Sequence, residues 1–210
     1  MLNTSIGIPS AAAASCPDIE VVFARGTTEP SGVGYFGQAF VDSLRPKVGG
    51  RSVEVYAVNY PASWGFSKSA DAGAKDASAH VQSIAGNCPR TRMVLGGDSQ
   101  GALVIDLITM GAVTLWSFTP APMPPAVADH VGAVAVFGNP SRDFPGGGPL
   151  TAISPLYGPK AIDLCATGDP LCSRGTNFLA HLSYVQNGMV SQAAAFAASR
   201  LLADSATRPM

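Results

Sequence analysis

A serine hydroxyl becomes a useful nucleophile only when a base removes its proton and an acid holds that base in place. Ser99 lies in the pentapeptide Gly97-Asp98-Ser99-Gln100-Gly101. The run Thr91-Arg92-Met93-Val94-Leu95-Gly96 before it is apolar and of strand length, and Ala102-Leu103-Val104-Ile105-Asp106-Leu107-Ile108 after it can open a helix. Strand, G-x-S-x-G, helix is the setting of a nucleophile elbow. The sharp turn holds serine in a strained backbone region with its hydroxyl above the sheet. Glycines are needed at 97 and 101, where neighbouring backbone leaves no room for a Cβ. The amide of Gln100, at the helix N-terminus, then faces developing negative charge.

Three histidines could supply the base. His80 precedes the elbow in a helical stretch and reads as structural. His130 follows Asp129 at the entrance to a strand, far from that strand's C-terminal edge. His181 lies in a loop after the last strand, and the order nucleophile, acid, histidine expected after such an elbow selects it. All three glutamates (Glu20, Glu29, Glu54) precede Ser99, whereas Asp169 lies beyond the last strand and twelve residues before His181. It sits in Cys165-Ala166-Thr167-Gly168-Asp169-Pro170-Leu171-Cys172, where a short disulfide loop would fix a carboxylate in place. Gly97-Asp98-Ser99 also matches the G-D-S start of another serine-esterase fold. That fold has the block near its N-terminus and an acid three residues before its histidine, where this chain has Phe178.

These side chains must be positioned by a frame. Ile19 to Ala24, Val53 to Val58, the run before Ser99, Val131 to Phe137 and Ala161 to Cys165 read as five strands. Gly37 to Val48, Asp71 to Ala85, the elbow helix and Met189 to Leu202 read as helices. Strands alternating with helices predict a parallel sheet covered on both faces, with ligands at the strands' C-terminal edge. The Ser99 turn, the Arg25–Ser31 loop and the segment after Cys165 all emerge at that edge. The stretch from Met110 to Pro125 carries Leu115, Trp116, Phe118 and Met123 among four prolines, so the elbow helix must stop before Pro120. It either extends the binding surface or packs against the elbow helix.

Composition bounds the rest. A chain of 210 residues is most simply one domain with a full core. A net charge of −1 with 13% charged residues gives no basic stripe, which argues against nucleic acid as a partner. No apolar run reaches the roughly 18 residues of a membrane span. Four cysteines fit two disulfides in an exported protein, and neither they nor the scattered histidines read as a metal site. Residues 1–15, with the run Ala11-Ala12-Ala13-Ala14, read as the tail of a truncated signal peptide outside the folded domain of residues 16–210.

Several blocks in order resemble the cutinase family, specifically its actinobacterial cutinase-like branch. They are Val22-Phe23-Ala24-Arg25-Gly26-Thr27-Thr28-Glu29, Asn59-Tyr60-Pro61, Leu95 through Gly101, and Cys165 through Asp169 and Cys172 to His181. The resemblance covers about Cys16 to Leu202. It implies a three-layer α/β-hydrolase-type sandwich with a central five-stranded parallel sheet and no lid domain. It implies a triad of Ser99, Asp169 and His181, an oxyanion hole from Thr27 and the Gln100 amide, and disulfides Cys16–Cys88 and Cys165–Cys172. Apolar side chains gripping an acyl chain correspond to Trp64, Phe66, Phe178 and Leu179. The implied activity is that of a secreted, monomeric serine esterase needing no metal or organic cofactor. Its substrates would be polyester or fatty acyl esters at a lipid or polymer surface. Acyl transfer or lipase and phospholipase action on cell-envelope lipids, and more distantly acetylxylan de-esterification, are the alternatives. One departure is Asp98, where the family usually has an aromatic residue; it either favours a charged histidine or faces away from the cleft.

Overall fold

Strands buried on both faces are mostly apolar, and the middle three strands here are so apart from Glu20, Arg92 and Asp98. The computed structural model describes residues 16–111, 115, 118 and 120–207; the expected leader tail and Trp116 lie outside the described residues. Strands β1 (Ile19–Ala24), β2 (Val53–Ala57), β3 (Arg92–Asp98), β4 (Val131–Phe137) and β5 (Ala161–Leu164) form one parallel sheet in the order β2-β1-β3-β4-β5. β1 and β4 are buried throughout and β3 nearly so, while the edge strands β2 and β5 are only partly covered.

The helices are α1 (Gly34–Leu44), α2 (Phe66–Asn87), α3 (Gln100–Thr109), the single turns α4 (Leu150–Ile153) and α5 (Phe178–His181), and α6 (Met189–Thr207). Alternation along the strands sorts the core into two layers. Ile19, Val21 and Phe23 point with Val94, Ala135 and Phe137 to the side of α1 and α6. Val22 and Ala24 point with Leu95, Val134 and Val136 to the side of α2 and α3. The chain thus forms the three-layer, five-stranded parallel sandwich.

Several boundaries, and the placement of His181, differ from the sequence reading. α1 ends at Leu44 and passes into a 3-10 turn over Arg45–Lys47, because Pro46 has no amide hydrogen to continue the helix. α2 starts at Phe66 rather than Asp71, its first turn held by tertiary contacts that local sequence does not show. Ser69, inside that turn, is buried and donates to Gln100 Oε1 at 2.7 Å. His181 lies in the turn α5 rather than in an open loop.

The proline-rich stretch covers α3. Every residue of α3 is buried, so its outer side also needs a partner. The amides of Ala121 and Met123 donate to the carbonyls of Leu107 and Ile108, and Leu115, Phe118 and Met123 join the α2/α3 core. Of the two expectations for this stretch, packing against the elbow helix is the one its described residues follow.

Candidate active site

Ser99 occupies the bend between β3 and α3 with φ 53° and ψ −118°. A non-glycine residue at positive φ is strained, and the surrounding packing must hold it there. Its amide donates to the Phe137 carbonyl at 2.9 Å, tying the bend to β4. The two flanking glycines are required sterically. A Cβ at Gly97 would collide with the Gly101 carbonyl, and one at Gly101 with the Ala24 carbonyl.

The loop after β1 is drawn over this bend by buried polar bonds. Arg25 donates through Nε to the Glu29 carbonyl (2.8 Å) and through a terminal nitrogen to the Tyr60 carbonyl (2.8 Å). The Glu29 carboxylate accepts from the amides of Gly26 and Tyr35, both at 2.7 Å. Gln100 is fully buried, and its side chain serves the scaffold. Its Nε2 donates to the Ser63 carbonyl (2.9 Å) and to Thr27 Oγ1 (3.3 Å). One side chain thereby fixes Thr27 and the loop carrying Trp64 relative to the start of α3.

On the other side of Ser99, Asp169 is completely buried. Its Oδ2 pairs with His181 Nδ1 at 2.8 Å and accepts from the Tyr184 hydroxyl at 2.6 Å, while Oδ1 accepts from the Leu171 amide at 2.8 Å. Tyr184 also accepts from the Ala166 amide at 2.9 Å, so it joins both ends of the acid-bearing loop. Burial, and then the bond to Asp169, hold the Tyr184 hydroxyl far above its ordinary range, keeping it a donor. Sequence reasoning missed Tyr184; a tyrosine three residues after the histidine carries no signal until the turn brings it under Asp169. The disulfide Cys165–Cys172 closes the same loop, and Cys16–Cys88 joins the N-terminal segment to the end of α2.

Gly138, at the end of β4, takes φ 56°, and a Cβ there would lie 2.7 Å from His181 Cε1. The next residue is anchored from below: Asn139 donates to Asp106 (2.9 Å) and to Asp163 (3.1 Å). Burial pushes the Asp106 carboxyl up to about 8, against the opposing bonds from Ser141 and Asn139.

Ser99 and His181 line one cavity of about 510 Å³, together with Thr27, Thr28, Glu29, Tyr35, Phe36, Trp64, Phe66, Asp98, Leu171, Phe178 and Leu182. Trp64 is 81% exposed and Phe178 69%, so large apolar surface stands open at its mouth. Leu179 is exposed as well but does not line the cavity; Tyr35, Leu171 and Leu182 do, and were missed because only their spatial neighbours mark them. Asp98 lines the cavity too, so of the two alternatives for it, facing away from the cleft is the one the structure does not follow. The remaining histidines lie elsewhere. His80 bonds Glu20 at 2.6 Å and stacks on Tyr56, and His130 ends a 3-10 turn before β4. Among the described residues no group of three or more His, Cys, Asp or Glu is placed to hold a metal ion.

A partly exposed serine on a strained elbow and a carboxylate-bound imidazole facing one apolar cavity are the parts of acyl-transfer chemistry. Comparison with known proteins agrees. The family described as Cutinase matches residues 15–201. This chain belongs to the cutinase family. As a member it is a carboxylic ester hydrolase. It is 56% identical over 205 residues to carboxylesterase Culp1 of Mycobacterium tuberculosis, covering 96% of this chain and 89% of that one. It is 54% identical over 190 residues to phospholipase Culp4 of the same organism, covering 90% of this chain and 81% of the other. Among solved structures, the catalytic core of acetyl xylan esterase from Trichoderma reesei superposes with a TM-score of 0.75 at 26% identity, covering 89% of this chain and all of that one. A Trichoderma reesei cutinase bound to a phosphonate inhibitor gives 0.68 at 31% identity, covering 89% and 77%. Among the described residues of this cutinase-family chain, no helix is long and apolar enough to cross a membrane.

Proposed function

We propose that this esterase works through Ser99, His181 and Asp169 on fatty acyl or polyester substrates outside the cell. The observation that carries the reading is the bond from His181 to the fully buried Asp169, on the wall of the same cavity as the strained Ser99. His181 takes the Ser99 proton as Oγ attacks the ester carbonyl, and Asp169 orients the ring and stabilises the imidazolium. The tetrahedral oxyanion is held by Thr27 and the Gln100 amide at the N-terminus of α3. The imidazolium protonates the leaving alcohol, and water repeats the cycle on the acyl-enzyme.

The apolar cavity with Trp64, Phe66 and Phe178 favours an acyl chain over an acetyl group on a polysaccharide. The naming of one relative as a phospholipase supports lipid esters within the same reading. Two disulfides support an oxidising, extracellular setting, at a lipid or polymer surface. The reading is of a monomer, as the family resemblance implies.

The test is hydrolysis of p-nitrophenyl esters from C2 to C16 by wild type and Ser99→Ala. Wild-type activity with an optimum above C2, and a fall on the order of 10⁴–10⁶ in turnover for the variant, are expected. Activity retained by Ser99→Ala overturns the site. A C2 optimum overturns the substrate class. Adding an alcohol acceptor and analysing products reads transfer separately from hydrolysis.

A further inference from the structure

The residue before Ser99 is an acid with nothing to neutralise it. Asp98 ends β3, lines the cavity and is buried. Its carboxyl lies over the loop that carries Thr27, so closely that a Cβ on Gly26 would collide with Oδ2. Oδ1 is sealed from solvent and has no hydrogen-bond partner.

We propose that Asp98 is a charge gate on the reaction: the enzyme works with this carboxyl neutral, and its ionisation shuts the site by placing negative charge beside the developing oxyanion. The proposal rests on the Ser99 reading above.

From the loop after β1, Glu29 presents a second carboxylate to the same side of Gly26. From the segment after β2, the Tyr60 hydroxyl is engaged with the Arg25 carbonyl. Arg25 follows β1 directly, but its guanidinium bonds the carbonyls of Glu29, Val58 and Tyr60 and forms no ion pair with Asp98. From α1 and α5, the other titratable groups on the cavity wall are the Tyr35 phenol and the His181 imidazole. A carboxylate buried beside another carboxylate and bonded to no cation is costly, whereas the neutral acid is tolerated. Burial first, and Glu29 second, therefore hold the Asp98 carboxyl well above the usual carboxylate range, outweighing the Gly26 amide and its own. The acid is neutral below that raised value and charged above it.

Ionisation would oppose the reaction twice. The charge repels the tetrahedral oxyanion from a buried position, where electrostatic effects exceed those in water. It also favours protonated His181, leaving less base. Asp98 is thus a positioning residue for charge, acting on the oxyanion and on His181.

The test is kcat/KM against pH for an uncharged, soluble short-chain triglyceride followed by pH-stat. Wild type, Asp98→Asn and Asp98→Ser are compared, with circular dichroism defining the range over which each stays folded. Wild type should rise on the acid side and fall at least tenfold on the alkaline side. Both neutral variants should keep the acid limb and lose the alkaline one; the serine variant serves if the asparagine variant fails to fold. No alkaline fall in folded wild type, or the same fall in either folded variant, overturns the gate. Ser99→Ala in parallel separates this failure from that of the site: activity surviving there removes the site, whereas an inactive Ser99→Ala together with an alkaline limb unchanged in the Asp98 variants removes only the gate.

Discussion

At the scale of single residues, the site depends as much on missing side chains as on present ones. Gly97 and Gly101 let backbone pass where a methyl group would collide, and Gly138 does the same beneath the imidazole. The Gly138 position separates two effects. Gly138→Ala adds a methyl 2.7 Å from His181 Cε1 and forces alanine to φ 56°. Since the collision is with the proposed base, kcat should fall by more than tenfold while chemical denaturation shows a loss of about 1–2 kcal/mol. A variant equally unstable but fully active would show that His181 does not work from this position.

At the scale of elements, the two disulfides should do different work. Cys16–Cys88 spans a separation of 72 residues and ties the N-terminal segment to α2, remote from the cavity. Cys165–Cys172 spans 7 residues and frames Asp169. Loop-closure entropy assigns about 4 kcal/mol to the long loop and about 2–3 kcal/mol to the short one. Cys16→Ser with Cys88→Ser should therefore cost more stability, measured by denaturant unfolding, yet leave kcat/KM of the folded protein within a few-fold. Cys165→Ser with Cys172→Ser should cost less stability and more activity, because Asp169 and Tyr184 lose their frame. The reverse order would mean that Tyr184 and the backbone bonds of the loop suffice to hold the acid. α3 carries a related lesson: a helix buried all round requires a cover, and the Pro120–Pro125 region with Leu115 and Phe118 supplies it.

At the scale of the whole molecule, buried acids govern how stability responds to pH. Asp106 accepts from Asn139 and Ser141 behind the sheet's C-terminal edge, and burial raises its carboxyl to about 8. In the unfolded chain an aspartate titrates near about 3.9. A folded value above the unfolded one gives stability that is full below the unfolded value and is lost as pH rises through the folded one. Wild type should therefore lose stability between about pH 4 and about pH 8, with Asp98 adding to the same slope. Asp106→Asn keeps the shape and removes the proton. Its Tm relative to wild type should rise by several degrees across that window and level off above it. A Tm difference independent of pH would show that Asp106 is ionised in the folded state.

The sequence by itself determined the chemistry and the order of parts. Gly97 to Gly101 between an apolar strand and an apolar helix marked the elbow, and chain order singled out Asp169 and His181 from the other acids and histidines. Such signals are local or ordinal, and strand alternation and glycine sterics write them directly into the chain. The tertiary structure decided what depends on distant residues meeting. It placed Tyr184 under Asp169, Gln100 across to Thr27 and Ser63, and Leu182 and Tyr35 on the cavity wall. It turned Asp98 into the cavity beside Glu29, and it began α2 five residues early because Ser69 found Gln100. No local pattern encodes these contacts, since each exists only after the parallel sheet has brought its loops to one edge.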